Sequence, residues 1–93
     1  MNLDKISTGA SKALALVRRH HDLCRVAEEL QVSKAAITML LQRAEASSGV
    51  KLIDRRKRPF ALTRYGNIMA DHGERILLSR TMVESELAAL SVT

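Results

Sequence analysis

The chain is poor in most of the residues that mark specialised protein classes. Its 93 residues include no tryptophan, one tyrosine and one phenylalanine. That excludes an aromatic platform for stacking the bases of RNA or single-stranded DNA. A lone cysteine, Cys24, excludes an intramolecular disulfide. No apolar run is long enough to span a membrane, and the opening residues, MNLDKISTGASK, lack the layout of a signal peptide. Taken together, these absences point to the cytoplasm. There is no internal repeat and no low-complexity tract.

Catalytic groups are equally scarce. An enzyme needs acid, base or nucleophile groups that converge. Cys24 with His20 and His21 is the one candidate cluster, and it lacks a clear fourth ligand and a recognised metal spacing. Cys24 is expected as a small residue near the core. His72 is expected as a packed or partly exposed side chain, able at most to make dimerisation sensitive to pH. The reading is no enzyme, no metal and no cofactor.

What is present is positive charge, unevenly placed. The formal net charge is +5. Lys51, Arg55, Arg56, Lys57, Arg58 and Arg64 lie close together against one acid, Asp54. From Tyr65 onward, Arg75 and Arg80 face Asp71, Glu74, Glu84 and Glu86. This split suggests a polyanion-binding body and a protein-contacting tail. The length suits one domain with a modest core, which a dimer interface would supplement. Residues 1 to 6 have little to pack and are expected to be mobile.

Residues 22 to 45, DLCRVAEELQVSKAAITMLLQRAE, carry the main motif. Leu23, Val26, Ala27 and Leu30 share one face at helical spacing. Gln31-Val32-Ser33 interrupts the pattern, and Ser33 is suited to cap a second helix. In that helix Ile37, Leu41 and Ala44 fall on one side. Ala35, Thr38, Met39 and Gln42 fall on the other, a small and polar face able to enter a DNA major groove. A preceding helix from about Ser7 or Gly9 to Arg19 would pack on this pair through Ala10, Leu14 and Val17. Asp22 is a good cap for the helix after it.

Gly49 marks the end of the second helix of the motif. Val50, Leu52 and Ile53 then read as a short strand with one buried face. Asp54 to Pro59 form a basic turn, and Phe60, Ala61 and Leu62 return. The expected fold is mainly α: a winged helix-turn-helix, with a three-helix core and a short β-hairpin wing. The wing tip would sit over phosphates or reach a minor groove.

Thr63 is placed to cap a last helix from Arg64 to about Leu90, roughly 40 Å long. Gly66 and Gly73 are expected to weaken it by about 1 kcal/mol each. Tyr65, Met69, His72, Ile76, Val83, Leu87 and Leu90 follow steps of three and four, with Ser79 in one slot, a near-heptad stripe. Tyr65, Ile68, Met69 and His72 are expected to pack on the domain. From Leu77 to Leu90 there is no domain left to cover, so a partner helix is expected. An antiparallel pairing with a second copy is preferred, with Ile76, Val83, Leu87 and Leu90 as dimerisation residues. The organisation is residues 1–63 as the winged helix-turn-helix and 64–93 as a dimerisation helix continuous with it.

The chain resembles the N-terminal DNA-binding domain of LysR-type transcriptional regulators. The matching residues are Ala27-Glu28-Glu29-Leu30-Gln31-Val32-Ser33, Ala36-Ile37-Thr38 and Arg43-Ala44-Glu45. They continue with Gly49-Val50-Lys51-Leu52-Ile53-Asp54-Arg55, Arg58, and Leu62-Thr63 with Gly66. The resemblance covers about residues 10 to 90. It implies a two-fold dimer on operator DNA. By that likeness Lys34, Ala35 and Thr38 face bases and backbone, Arg55 and Arg58 serve the wing, and Ser33 meets phosphate at the helix N-terminus.

The departures limit what carries over. The family usually has Gln-Pro where this chain has Lys34-Ala35, so base preference does not transfer. It usually has a basic or polar residue at Met39 and leucine at Ala44. The family's large effector-binding domain lies outside this sequence, so no small-molecule effector is expected of these residues. A natural single-domain regulator and a piece of a longer one both remain open.

The expected function is a sequence-specific, homodimeric regulator of transcription in a bacterium, a repressor acting by promoter occlusion on a palindromic operator of double-stranded DNA. The DNA-binding set is Ser33, Lys34, Ala35, Thr38, Met39, Gln42, Arg43, Arg55, Arg56, Lys57 and Arg58. The competing readings are a winged-helix protein-interaction module and a non-specific architectural DNA binder.

Overall fold

The computed structural model describes residues 7–57 and 61–91. Expectations for residues 1 to 6, Arg58, Pro59 and Phe60 lie outside the described residues. The elements in order are α1 (Thr8–His20), α2 (Leu23–Leu30), α3 (Lys34–Ser48), β1 (Ile53–Asp54), β2 (Ala61–Leu62) and α4 (Arg64–Ser91). This is a mainly helical winged helix-turn-helix with a long last helix.

Local chemistry sets the helix boundaries. The hydroxyl of Ser7 accepts from the Ala10 N–H at 3.0 Å, the carboxylate of Asp22 from the Cys24 N–H at 2.9 Å, and the hydroxyl of Ser33 from the Ala36 N–H at 3.0 Å. Each fills one of the four donors that a helix start leaves without an intrahelical acceptor. The Thr63 hydroxyl does the same for Gly66 at 3.1 Å. The first three helices end on a residue in the left-handed region: His21 (φ 53°), Gln31 (φ 58°) and Gly49 (φ 76°). At Gln31 the reversal lets the Val32 N–H reach the Ala27 carbonyl at 3.0 Å. That bond closes the tight turn between α2 and α3.

The core lies where the first three helices meet, with the hairpin and α4 closing it. Leu14, Val17, Val26, Ile37, Leu41 and Leu52 are fully buried. Each such side chain contributes about 1.5–3 kcal/mol of transfer free energy. Ala10, Ala27 and Ala44 are buried between them, while Leu23 and Leu30 pack at the margin.

The hairpin departs from the expected regular strand. Among the described residues, Ile53 and Asp54 pair, antiparallel, with Leu62 and Ala61. Leu52 and Ile53 are consecutive and both buried, which one face of a strand does not allow. Leu52 is instead tied outside the ladder. Its N–H donates to the Glu45 carboxylate at 2.9 Å, and its carbonyl accepts from the Thr63 N–H at 3.0 Å.

The docking face of α4 also differs from expectation. Gly66, Ala70 and Gly73 are its buried residues, and Leu77 packs at the edge of the core. Of the four side chains expected there, Met69 is half-buried against the core, but Tyr65 is 45% exposed, Ile68 67% exposed, and His72 exposed. The reason is backbone approach. A Cβ on Gly66 would fall 2.1 Å from the Leu52 carbonyl oxygen, and one on Gly73 would fall 1.9 Å from that of Ser11. The two glycines admit α4 to a distance that large side chains would forbid. Their expected weakening of the helix is secondary to this packing. Leu77 packs against the core, so the stretch of α4 beyond the core begins at Leu78, one residue later than expected.

Charged pairs frame the same contact. Arg18 reaches Asp71 at 2.8 Å and the Asn67 side chain at 3.3 Å. Arg19 engages Glu74, with one contact at 3.1 Å. Such exposed pairs contribute at most about 1 kcal/mol each. They link the C-terminal turn of α1 to the α4 surface beside the glycine face.

Candidate nucleic-acid interface

The helix-turn-helix leaves one face of α3 open. Lys34, Ala35, Met39, Gln42 and Arg43 are exposed, and Thr38 is half-exposed. The opposite face, Ile37, Leu41 and Ala44, is buried. Thr38 donates its hydroxyl proton to the Lys34 carbonyl at 3.2 Å, which leaves the hydroxyl's lone pairs and its methyl group for an incoming surface. Met39 stands half out of the protein beside it. Ser33 is exposed at the start of α3, but its hydroxyl is already engaged with the Ala36 N–H.

The wing is basic and held by two acids. Asp54 accepts from the Arg56 guanidinium at 3.0 and 3.2 Å and from the Arg56 N–H at 3.1 Å. The fork bond and the backbone bond from Arg56 hold the Asp54 carboxyl below its ordinary value, and the same contact raises Arg56. The guanidinium of Arg55 lies 3.6 Å from the Glu45 carboxylate on the last turn of α3. Arg55, Arg56 and Lys57 are all exposed. Part of the wing's positive charge is therefore matched within the protein itself.

The recognition face and the wing base adjoin. Gln42, Glu45 and Ala46 of α3 line a shallow depression with Gly49, Val50 and Lys51. Lys51 is exposed there, and it joins the candidate residues although the sequence marked it only within a basic cluster and a family match. Glu45 was likewise visible only as part of a family match. An acid in the last turn of a helix opposes the helix dipole, and that misfit was the available signal for a tertiary role.

The cysteine–histidine cluster does not form. Cys24 is exposed rather than near the core, because α2 buries Val26 and Ala27 and turns Cys24 outward. His20 contacts Glu29 at 2.7 Å. Among the described residues no group of three or more His, Cys, Asp or Glu side chains is placed to hold a metal ion. No helix among them is long and apolar enough to cross a membrane.

The α4 stripe leaves Val83, Leu87 and Leu90 in solvent, Leu90 at 74% exposure, while Ile76 is half-buried. At about 100° per residue, this stripe runs beside the docking face of α4 and not opposite to it.

Comparison with known proteins agrees with this architecture. The family model for bacterial regulatory helix-turn-helix proteins of the LysR family matches residues 10–67. The HTH-type transcriptional regulator CfxR of Cupriavidus necator is 36% identical over 61 residues, 66% of this chain and 19% of that protein. The SDS degradation transcriptional activation protein of a Pseudomonas species is 30% identical over 71 residues, 76% of this chain and 23% of that one. The chain thus spans about a fifth of the length of these curated relatives. Among solved structures, BenM_DBD in its catB site 1 DNA complex superposes with a TM-score of 0.72 at 16% identity, covering 91% of this chain and 96% of that one. Vibrio fischeri DarR in complex with DNA gives a TM-score of 0.68 at 20% identity, covering 98% of this chain and 30% of that one. At these identities the structural likeness concerns the fold. The family match, which takes in the helix-turn-helix, the wing and the start of α4, makes this chain a member of the LysR family of bacterial regulatory helix-turn-helix proteins.

Proposed function

We propose that the chain binds double-stranded DNA sequence-specifically as a homodimer, and that the bound dimer represses transcription by occluding a promoter. The carrying observation is the open polar face of α3 beside an exposed basic wing. In this reading Lys34, Ala35, Thr38, Met39, Gln42 and Arg43 meet the major groove. Ser33 lies against phosphate, and Arg55, Arg56, Lys57 and Arg58 serve the backbone or minor groove. Lys51 extends that basic track. Residues 1–63 are the DNA-binding unit and 64–93 the dimerisation helix.

Two further observations support the reading. Two proteins solved in complex with DNA share the fold. The stripe of Val83, Leu87 and Leu90 on α4 has an unfavourable exposure that a second copy of the helix would relieve. Pairing in antiparallel fashion would place two recognition helices on half-sites about one turn, or a small multiple, apart. Occlusion is the simplest regulatory consequence, because it asks nothing of the protein beyond tight binding. Such a regulator works in the cytoplasm at the chromosome.

The test is site selection from random duplex DNA, followed by titration of the enriched site at several salt concentrations. A palindromic motif bound far more tightly than random DNA supports the dimeric operator reading. Salt-sensitive binding without a motif identifies a non-specific binder. No binding identifies a protein-interaction scaffold. A promoter–reporter fusion carrying the motif then reads the sign of regulation: a fall in expression is expected, and a rise overturns repression.

A further inference from the structure

We propose that Glu45 is a positioning residue that couples the recognition helix to the wing and aims Arg55 at DNA. The inference rests on the DNA-binding reading above and adds to it a residue that need not touch DNA itself.

Glu45 sits in the last turn of α3, where a carboxylate faces the negative end of the helix dipole. Helix stability therefore does not account for an acid there. What the carboxylate does is reach across to the wing. One oxygen, Oε2, accepts from the Leu52 N–H at 2.9 Å and lies 3.5 Å from the Ile53 N. The other, Oε1, lies 3.6 Å from Nη1 of Arg55. The Glu45 side chain is only 9% exposed, while that of Arg55 is 51% exposed. One carboxylate thus spans the start of the hairpin and the base of the wing, and it lies beside the guanidinium of a half-exposed side chain.

The far side of the same segment is tied as well. The Leu52 carbonyl accepts from the Thr63 N–H, and the Lys51 carbonyl accepts from the Thr63 hydroxyl at 2.6 Å. Residues 51 to 53 are therefore clamped between α3 and the start of α4. A wing clamped in this way moves with the recognition helix as one body. Arg55 reaches its phosphate or groove contact already oriented, and less side-chain freedom is lost on binding. The charge of Glu45 would by itself repel DNA, so the two possible roles predict opposite signs.

The experiment is a double-mutant cycle in the full chain with E45Q, R55A and the pair. The probe is the duplex that the wild-type protein enriches from random DNA. Thermal melting is recorded for each variant. The amide oxygen of E45Q still accepts from Leu52, so its melting temperature should stay near wild type while its affinity falls about five- to tenfold. R55A should cost about tenfold in the wild-type background and little in E45Q. It should also reduce the salt slope by about one in wild type only. Costs that multiply independently overturn the coupling. Unchanged or tighter binding by E45Q shows a carboxylate that is neutral or merely repels phosphate, and overturns it too. If E45Q melts well below wild type, E45D, which keeps the charge, decides: restored affinity and restored coupling to Arg55 support the proposal, and restored melting without coupling overturns it. Absence of duplex binding by the wild-type chain brings down the DNA-binding reading, and this inference with it. Wild-type binding with an additive cycle brings down the inference alone.

Discussion

Gly73 of α4 lies against the backbone of Ser11 in α1 so closely that a Cβ would fall 1.9 Å from the Ser11 carbonyl oxygen. The obstacle is backbone, which cannot swing aside as a side chain would. Gly73→Ala is therefore expected to push the two helices apart and to destabilise the fold by about 1–3 kcal/mol or more, although alanine is the better helix former. Thermal or urea unfolding reads the change. A Gly73→Ala variant at least as stable as wild type would show that helix propensity outweighs the contact.

The same contact buries the Ser11 hydroxyl, which has no hydrogen-bond partner among the described residues. Leaving a buried polar group unsatisfied costs about 1–3 kcal/mol. Ser11→Ala fits the same space without the hydroxyl and should stabilise the fold. A lower midpoint in urea than wild type would mean that the hydroxyl is satisfied in solution.

Val83 and Leu87 are more than half exposed on one stripe of α4. Val83→Glu with Leu87→Glu should yield monomers by sedimentation, with the helix-turn-helix still folded because neither residue touches the core. An unchanged mass would remove the stripe from the dimer interface.

Thr38 and Gln42 stand on the open face of α3. Thr38→Ala with Gln42→Ala should weaken the selected site by about 1–3 kcal/mol for each lost base contact and leave random DNA almost unaffected. Equal losses on both duplexes would assign these side chains to the phosphate backbone.

The Asp54 carboxyl is held below its ordinary value of 3.8 by the Arg56 guanidinium and N–H. A depressed folded value means that the contact stabilises the wing turn above the ordinary carboxylate range and ceases to do so as pH falls through the folded value. Carbon-detected NMR titration of Asp54 should show the depressed midpoint, and Arg56→Ala should raise it. A midpoint that Arg56→Ala leaves in place would break the assignment.

Four boundaries were legible locally, at Asp22, Ser33, Gly49 and Thr63, and the start of α1 was legible only as Ser7 or Gly9. Ser7, Asp22, Ser33 and Thr63 cap helices through their own side chains, and Gly49 ends α3 with a positive φ. Each depends on residues within four positions, so the chain order carries the information. The buried faces of the first three helices were legible for a similar reason: a helix of known period must turn its apolar side inward.

The face that α4 turns to the core was not legible from its own periodicity. An apolar stripe through Tyr65 and His72 competes there with a line of small residues, Gly66, Ala70 and Gly73. Periodicity ranks hydrophobicity, but the docking was decided by how near the α1 backbone and Leu52 approach. Glu45 was hidden in the same way, because its partners Leu52 and Arg55 meet it only after the hairpin folds back. The pairing of Arg55 with Glu45 was hidden too, so a count of basic residues overstates the unmatched charge of the wing. The sequence by itself determined the helices, their caps, the open face of α3 and the family. Only the tertiary structure decided which surface of α4 is buried and how the wing is braced, because both depend on contacts between segments whose separation no local pattern records.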